Sequence, residues 1–173
     1  MIKRLIIIFA LFSSLGYSDS LEIMGGSLTN HYQSNSGYIG KIGNSDSLIY
    51  NALLGLRYNF EDDGKWCISG EVFGGFNSVQ EGMAGFAGAI DYKLMNFLYI
   101  GPVLGSYTQS HSAFLNKGLI PFNIAQVGDY DLVPLIGVEV NFKMDLDTTF
   151  YIKLNNLVTP FLTNTSLSLG INL

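Results

Sequence analysis

The chain has 173 residues, of which 13% are charged, 13% are aromatic and 20 are glycine, with 14 acidic against 9 basic side chains. Charge this sparse, about half the share usual in soluble domains, argues against an ordinary water-facing surface, and the acidic balance argues against a nucleic-acid partner. The single cysteine, Cys67, excludes an internal disulfide framework and is expected to fill an interior position as a small side chain.

At the amino terminus Lys3 and Arg4 precede an apolar block from Leu5 to Leu15, followed by Gly16 and Ser18. Basic, then apolar, then small is the order of a secretory signal peptide, and the block is shorter than the ~20 residues of a spanning helix. We therefore expect residues 1–18 to be a signal peptide and 19–173 to form the mature domain. Without Lys3 and Arg4, 7 basic residues face 14 acidic ones. Gly and polar residues interrupt every later apolar run, so no second helical span is expected. Export without a helical anchor leaves a soluble periplasmic protein or an outer-membrane barrel.

From Tyr50 the chain alternates strictly. Tyr50, Ala52, Leu54, Leu56, Tyr58 and Phe60 fall on one face, and Asn51, Leu53, Gly55, Arg57 and Asn59 on the other. Period two over eleven residues is a strand with two unlike faces, and its length suits a bilayer crossing of ~9–11 residues. After the turn-prone Glu61–Lys65, a second run places Trp66, Ile68, Val72 and Phe76 on one face. The same rhythm predicts eight strands, over 21–33, 48–60, 66–76, 83–94, 97–108, 132–144, 148–158 and 163–173. Three connections are tight: Glu61–Lys65, Met95–Asn96 and Asp145–Asp147. Four are expected to be longer or looser: Ser34–Ser47, Asn77–Gly82, Gln109–Asp131 and Thr159–Leu162. Short turns at one end and longer loops at the other, with aromatic residues near both ends of the apolar face, predict an all-β, eight-stranded antiparallel up-and-down transmembrane β-barrel. A soluble eight-stranded barrel has a wet outer face, whereas the even positions here are nearly free of charge. The chain is expected to be a monomer of a Gram-negative outer membrane, in contact with membrane lipids.

The opposite face is not uniform. Toward the short turns it carries Arg57, Asn59, Ser69, Asp91, Lys93, Glu139, Asn141 and Lys143. These predict a paired polar plug, because an unpaired buried charge is costly. Toward the long loops it carries Leu53, Phe73, Gly75, Met83, Gly85, Ala87, Val133 and Leu135, with Glu71 at the border. Small and apolar residues there suit either a dry packed core or a pocket for a hydrocarbon chain. At the long-loop rim, His31 ends the first strand and Ser78 follows the third. An imidazole beside a hydroxyl is the minimum for acyl transfer, although a lone rim histidine is more often a polar surface residue. His111 falls in the longest loop and is expected to be merely exposed. No cluster has metal-ligand spacing, no phosphate-binding glycine loop is present, and no cofactor is expected.

Taken in order, His31, Phe76-Asn77-Ser78, Met83-Ala84-Gly85-Phe86-Ala87, Val133-Pro134-Leu135 and Pro160 resemble the outer-membrane lipid A palmitoyltransferases. These are eight-stranded barrels that move a palmitoyl chain from phospholipid to lipid A. Phage-encoded barrels of the same shape are similar too. The resemblance implies His31 as general base and acid, Ser78 as hydroxyl partner, and Asn77 at the place of the family's Asp. It implies an acyl pocket lined by Leu53, Phe73, Met83, Gly85, Ala87 and Leu135. Ala87, where the family has Gly, would set a raised floor and select a chain shorter than palmitoyl. It also implies lateral lipid access at Pro134 and Pro160. The family's leading amphipathic helix has no counterpart in Asp19–Ser27. The alternative is a non-catalytic structural or surface-modifying outer-membrane barrel. An adhesin working through Gln109–Asp131 gains little, since that loop carries few aromatic or arginine anchors.

Overall fold

A computed structural model describes residues 18–31, 49–62, 64–76, 82–111, 125–160 and 162–173. Each alternating run forms a strand: β1 (Ser18–His31), β2 (Ile49–Asp62), β3 (Trp66–Phe76), β4 (Gly82–Met95), β5 (Leu98–Ser110), β7 (Tyr130–Asp145), β8 (Phe150–Val158) and β9 (Leu162–Asn172). Neighbours pair antiparallel in the order β5-β4-β3-β2-β1-β9-β8-β7, and β7 returns to β5. The ring therefore closes as the eight-stranded up-and-down barrel that the alternation predicts. Closure gives nearly every backbone group a ladder partner, which a strand needs where no water can replace one.

The three short turns come where expected. Asp147 Oδ1 accepts the N–H groups of Thr149 and Phe150 at 2.7 Å each, a side-chain cap that fixes the β7–β8 turn. Two differences appear at the other end. Thr159–Leu162, expected among the looser connections, is tight, with Thr159 N–H donating to Leu162 O at 2.9 Å and Leu162 N–H to Thr159 Oγ1 at 3.1 Å. Residues 109–131, expected as one loop, lengthen both flanking strands and hold a short extra strand, β6 (Ala125–Val127), folded onto Tyr130–Leu132 through a turn at Gly128.

The two faces divide by polarity. Outward stand Leu54, Leu56, Ile68, Val72, Phe86, Ile90, Leu104, Ile136, Val138, Leu167 and Leu169, all exposed. Inward and buried stand Glu22, Arg57, Ser69, Asp91, Glu139, Asn141, Lys153 and Ser168. An apolar outside over a charged inside is the reverse of a soluble barrel and is the surface of a transmembrane one. Near the short-turn end Trp66 and Tyr92 meet edge to face with ring centroids 4.8 Å apart, as in an interfacial aromatic belt.

Parity holds through each strand but one. In β1 the inward residues are Ser20, Glu22 and Met24, then Ser27 and Thr29. The register shifts between Gly25 and Ser27, where Gly26 adopts φ 68°. This conformation suits glycine, and the extra residue moves the inward set from even to odd.

Candidate functional site

The short-turn half of the lumen is a closed ionic network. Arg57, on β2, reaches across to β7 and grips Glu139 with two bonds, Nη1 to Oε1 at 3.0 Å and Nη2 to Oε2 at 2.7 Å. Its Nε donates to Glu71 on the adjacent β3 at 2.9 Å. β2 and β7 lie on opposite sides of the ring, so this arginine bridges the lumen. Beside it Glu22 collects four donors: Asn59 Nδ2 at 2.8 Å, and Tyr151 Oη, Lys153 Nζ and Ser168 Oγ at 3.0 Å each. Asn141 Nδ2 donates to Asp91 at 3.0 Å, and Lys143 Nζ lies 4.2 Å from the centroid of the Tyr151 ring. The Tyr151 ring itself lies flat over Gly170, where a Cβ would fall 2.0 Å from the ring. Arg57 and Lys153 thus pair with Glu71, Glu139 and Glu22, and Lys143 reaches Asp145 at 3.6 Å. The expected polar plug is present, and Glu22, Tyr151 and Lys153 complete it. Sequence reasoning missed these three. The bulge at Gly26 hides the parity of β1, and β8 is too short to show a strong alternation.

The long-loop half is built otherwise. Ala87, Ala89 and Val103 are buried, with Phe73, Leu135 and Leu157 packed against them. The residues expected to line an acyl pocket do face inward. The room left by Gly85 is taken by the Phe73 ring, whose Cζ lies 2.6 Å from where a Gly85 Cβ would stand. Hollows are found on the outer wall, on either side of the outward, mutually paired Gly70 and Gly88. On the facing wall Ser27 and Thr29 accept bonds from Asn51 and Asn164. One side of this half is apolar and the other is amide and hydroxyl.

Of the rim residues, His31 is the last residue of β1 and pairs in the backbone ladder with Leu162 of β9; Asn77 and Ser78 lie outside the described residues. β3 ends at Phe76, immediately before them, one strand away from β1 across β2. Pro134 lies between the described partners of β7. Among the described residues β7 pairs with β8 from Val138 onward and with β6 up to Leu132, and none is laddered to Val133–Gly137 on that side. A residue without an N–H is tolerated where no donor is needed. Pro160 lies in the tight β8–β9 turn.

His111 is not merely exposed. Its Nδ1 lies 2.8 Å from Oδ2 of the fully buried Asp131, and its backbone N–H donates to Asp129 O at 2.8 Å. A carboxylate only accepts, so Nδ1 carries the proton in this pair. The sequence holds the signal: continuing the inward parity of β7 upstream from Val133 gives Asp131. Among the described residues no group of three His, Cys, Asp or Glu side chains is placed to hold a metal ion.

No family model and no curated protein sequence matches the chain. Solved structures of eight-stranded barrels do match. The attachment invasion locus protein Ail of Yersinia pestis is 10% identical, over 90% of this chain and 97% of that one, with a TM-score of 0.45. The Neisserial surface protein A is 6% identical over 88% and 94%, at 0.47. The N-terminal barrel domain of Pseudomonas aeruginosa OprF is 9% identical over 91% and 99%, at 0.42. The likeness is one of barrel shape.

Proposed function

We propose that the protein is a closed, non-conducting barrel of a Gram-negative outer membrane. It would be monomeric, and it would serve as a structural or surface-modifying element that carries its longer loops outward. The observation that carries this reading is the arginine bridge. Arg57 joins opposite walls through Glu139 and is flanked by the network on Glu22, so the lumen is filled with paired charge where a pore would need water. The protein reconstituted in a planar bilayer is expected to show no steady conductance. A stable open channel would sink the reading. Protease added outside intact cells is expected to cut, if anywhere, within 32–48 or 111–129. Cleavage at Glu61–Lys65 without permeabilisation would invert the orientation.

Transfer of an acyl chain from phospholipid to lipid A is the second reading. What favours it is Pro134, which has no N–H to give a neighbouring strand and lies, among the described residues, between the partners of β7, beside the inward Leu135. In this reading His31 moves the proton, Ser78 is its hydroxyl partner and Asn77 orients one of them. Leu53, Phe73, Met83, Gly85, Ala87 and Leu135 then receive the chain once Phe73 swings aside. Mass spectrometry of lipid A from cells expressing the protein separates the two. An added acyl chain, lost in Ser78→Ala and in His31→Ala, supports the transferase; unchanged lipid A supports the structural barrel.

A further inference from the structure

The outward column of β7 continues past the top of the barrel wall. From Phe142 it runs through Val138 and Ile136 to Leu132 and then Tyr130, the first residue of the strand. Phe142 lies at the short-turn end, opposite Leu98, which begins β5. Tyr130 stands twelve residues away from it. At ~3.3 Å per residue and a tilt of ~40°, that is about 30 Å up the wall, the thickness of a hydrocarbon layer. Phe142 therefore marks one membrane surface, and Tyr130 arrives at the other, where tyrosines gather at headgroup level.

At that height β6 is folded onto β7. Ala125 pairs with Leu132, Gln126 with Asp131 and Val127 with Tyr130. Residues directly opposite in an antiparallel pair share a face. Asp131 is inward and fully buried, so Gln126 belongs to the lumen side. Ala125 and Val127 join Leu132 and Tyr130 on the outer side. The hairpin thus has one apolar and one polar face, in the same sense as the wall below it. Val127 is 72% exposed, the highest value of any large apolar side chain described, and Tyr130 is 52% exposed. Two bonds from the end of β5 hold this facing: the His111 backbone N–H donates to Asp129 O, and its Nδ1–H donates to Asp131 Oδ2, at 2.8 Å each. They tie both the turn and the first inward carboxylate of β7 to the neighbouring strand.

From Ala125 to Leu132 the chain carries Asp129 and Asp131 and no lysine or arginine, so an anionic headgroup has no cation here to attract it. What the outer face offers is apolar area, and that area continues the lipid-facing wall without interruption. On its other side Tyr130 pairs with Ser110. A ring with a hydroxyl at its tip, beside a serine, suits the zone where acyl chains end and water begins.

We propose that the β6–β7 hairpin lies in the membrane interface at the long-loop end, with Ala125, Val127, Tyr130 and Leu132 against the glycerol and upper acyl region of the lipids. The contact is with apolar lipid surface and not with a particular headgroup. In this sector the lipid contact of the wall extends onto the longest connection and anchors its returning limb at the bilayer surface. The inference goes beyond both functional readings and rests on neither.

The test reads depth by fluorescence. Trp66 is the single tryptophan; in a Trp66→Phe background Tyr130→Trp, Val127→Trp and Gln126→Trp are made one at a time and placed in phosphatidylcholine vesicles. Lipid brominated near the glycerol end of its acyl chains quenches on contact, and iodide on both sides of the membrane quenches from water. Tyr130→Trp and Val127→Trp are expected to be quenched by the brominated lipid at least about threefold more than Gln126→Trp, because one face of the hairpin meets lipid and the other does not. Iodide is expected to show the opposite order, and added phosphatidylglycerol to change neither result. The unsubstituted protein gives a second readout. A nitroxide carried on the lipid near the glycerol is expected to broaden the methyl NMR signals of Val127, which a water-soluble nitroxide spares. Iodide that reaches all three tryptophans equally overturns the proposal by leaving the hairpin in water. Val127 signals that neither nitroxide broadens overturn it by assigning the face to protein. Lipid quenching that requires phosphatidylglycerol overturns it by assigning the contact to a headgroup.

Discussion

Toward the short turns the lumen is crossed by ions; toward the long loops the same inward parity carries Phe73, Ala87, Val103 and Leu135 against a strip of Ser, Thr and Asn. The lower half ties opposite walls together. Removing one partner there leaves a charge in a place that neither water nor lipid can serve. The upper half is filled by small and apolar side chains, with no charge in its cluster, and Phe73 of β3 and Leu157 of β8 pack against the same Ala87, Ala89 and Val103. The difference teaches that closure and identity are handled at different depths. Ion pairing fixes the ring at the short-turn end, which leaves the long-loop end free to vary in shape.

The sharpest way to break this comparison is Glu139→Ala. It strips Arg57 of its two-bonded partner, and we expect a loss of about 3–5 kcal/mol in reversible unfolding from vesicles by urea. A loss below about 1 kcal/mol would mean that the bridge does not hold the walls. Next comes the neighbouring residue on the other face. Val138→Arg puts a charge on the lipid side and should cost about 2–4 kcal/mol if it lies near the midplane, whereas Glu139→Gln should carry no such membrane penalty. A harmless Val138→Arg would reverse the facing of β7.

In the upper half, Phe73→Ala should cost about 2–3 kcal/mol, at or below the low end for an aromatic truncation because Phe73 is only partly buried. The space it vacates over Gly85 should bind an alkyl probe that the parent protein does not. A variant that binds no probe would show that the upper half collapses on itself. The smallest effect is expected at Ser27→Ala, which removes one acceptor shared by Asn51 and Asn164 and should cost about 1 kcal/mol. A cost as large as that of Glu139→Ala would erase the distinction between the halves.

Much of this was legible in residue order, because a strand in a bilayer has one lipid-facing side and the period of two must show it. Tyr50 to Phe60 display it alone, and they fix which of their side chains enter the lumen without any knowledge of the partner strand. Strand number, the short-turn end and the inward facing of Arg57, Asp91 and Glu139 follow from the same alternation. Sequence could not say whom Arg57 grips. Glu139 is 82 residues away and becomes its neighbour only when β7 closes onto β5. Glu22 was hidden by one glycine, since a single bulged residue exchanges inside for outside. The pairing of His111 with Asp131 needed β5 and β7 to run further than their apolar stretches, carried by backbone bonding after the hydrophobic signal had faded. The place of Pro134 between the described partners of β7 needed the register of β6 and β8 on it. Periodicity, a local property of the chain, therefore determined the architecture. Ring closure, register and strand length, which depend on distant segments meeting, decided which charges pair and which room is filled.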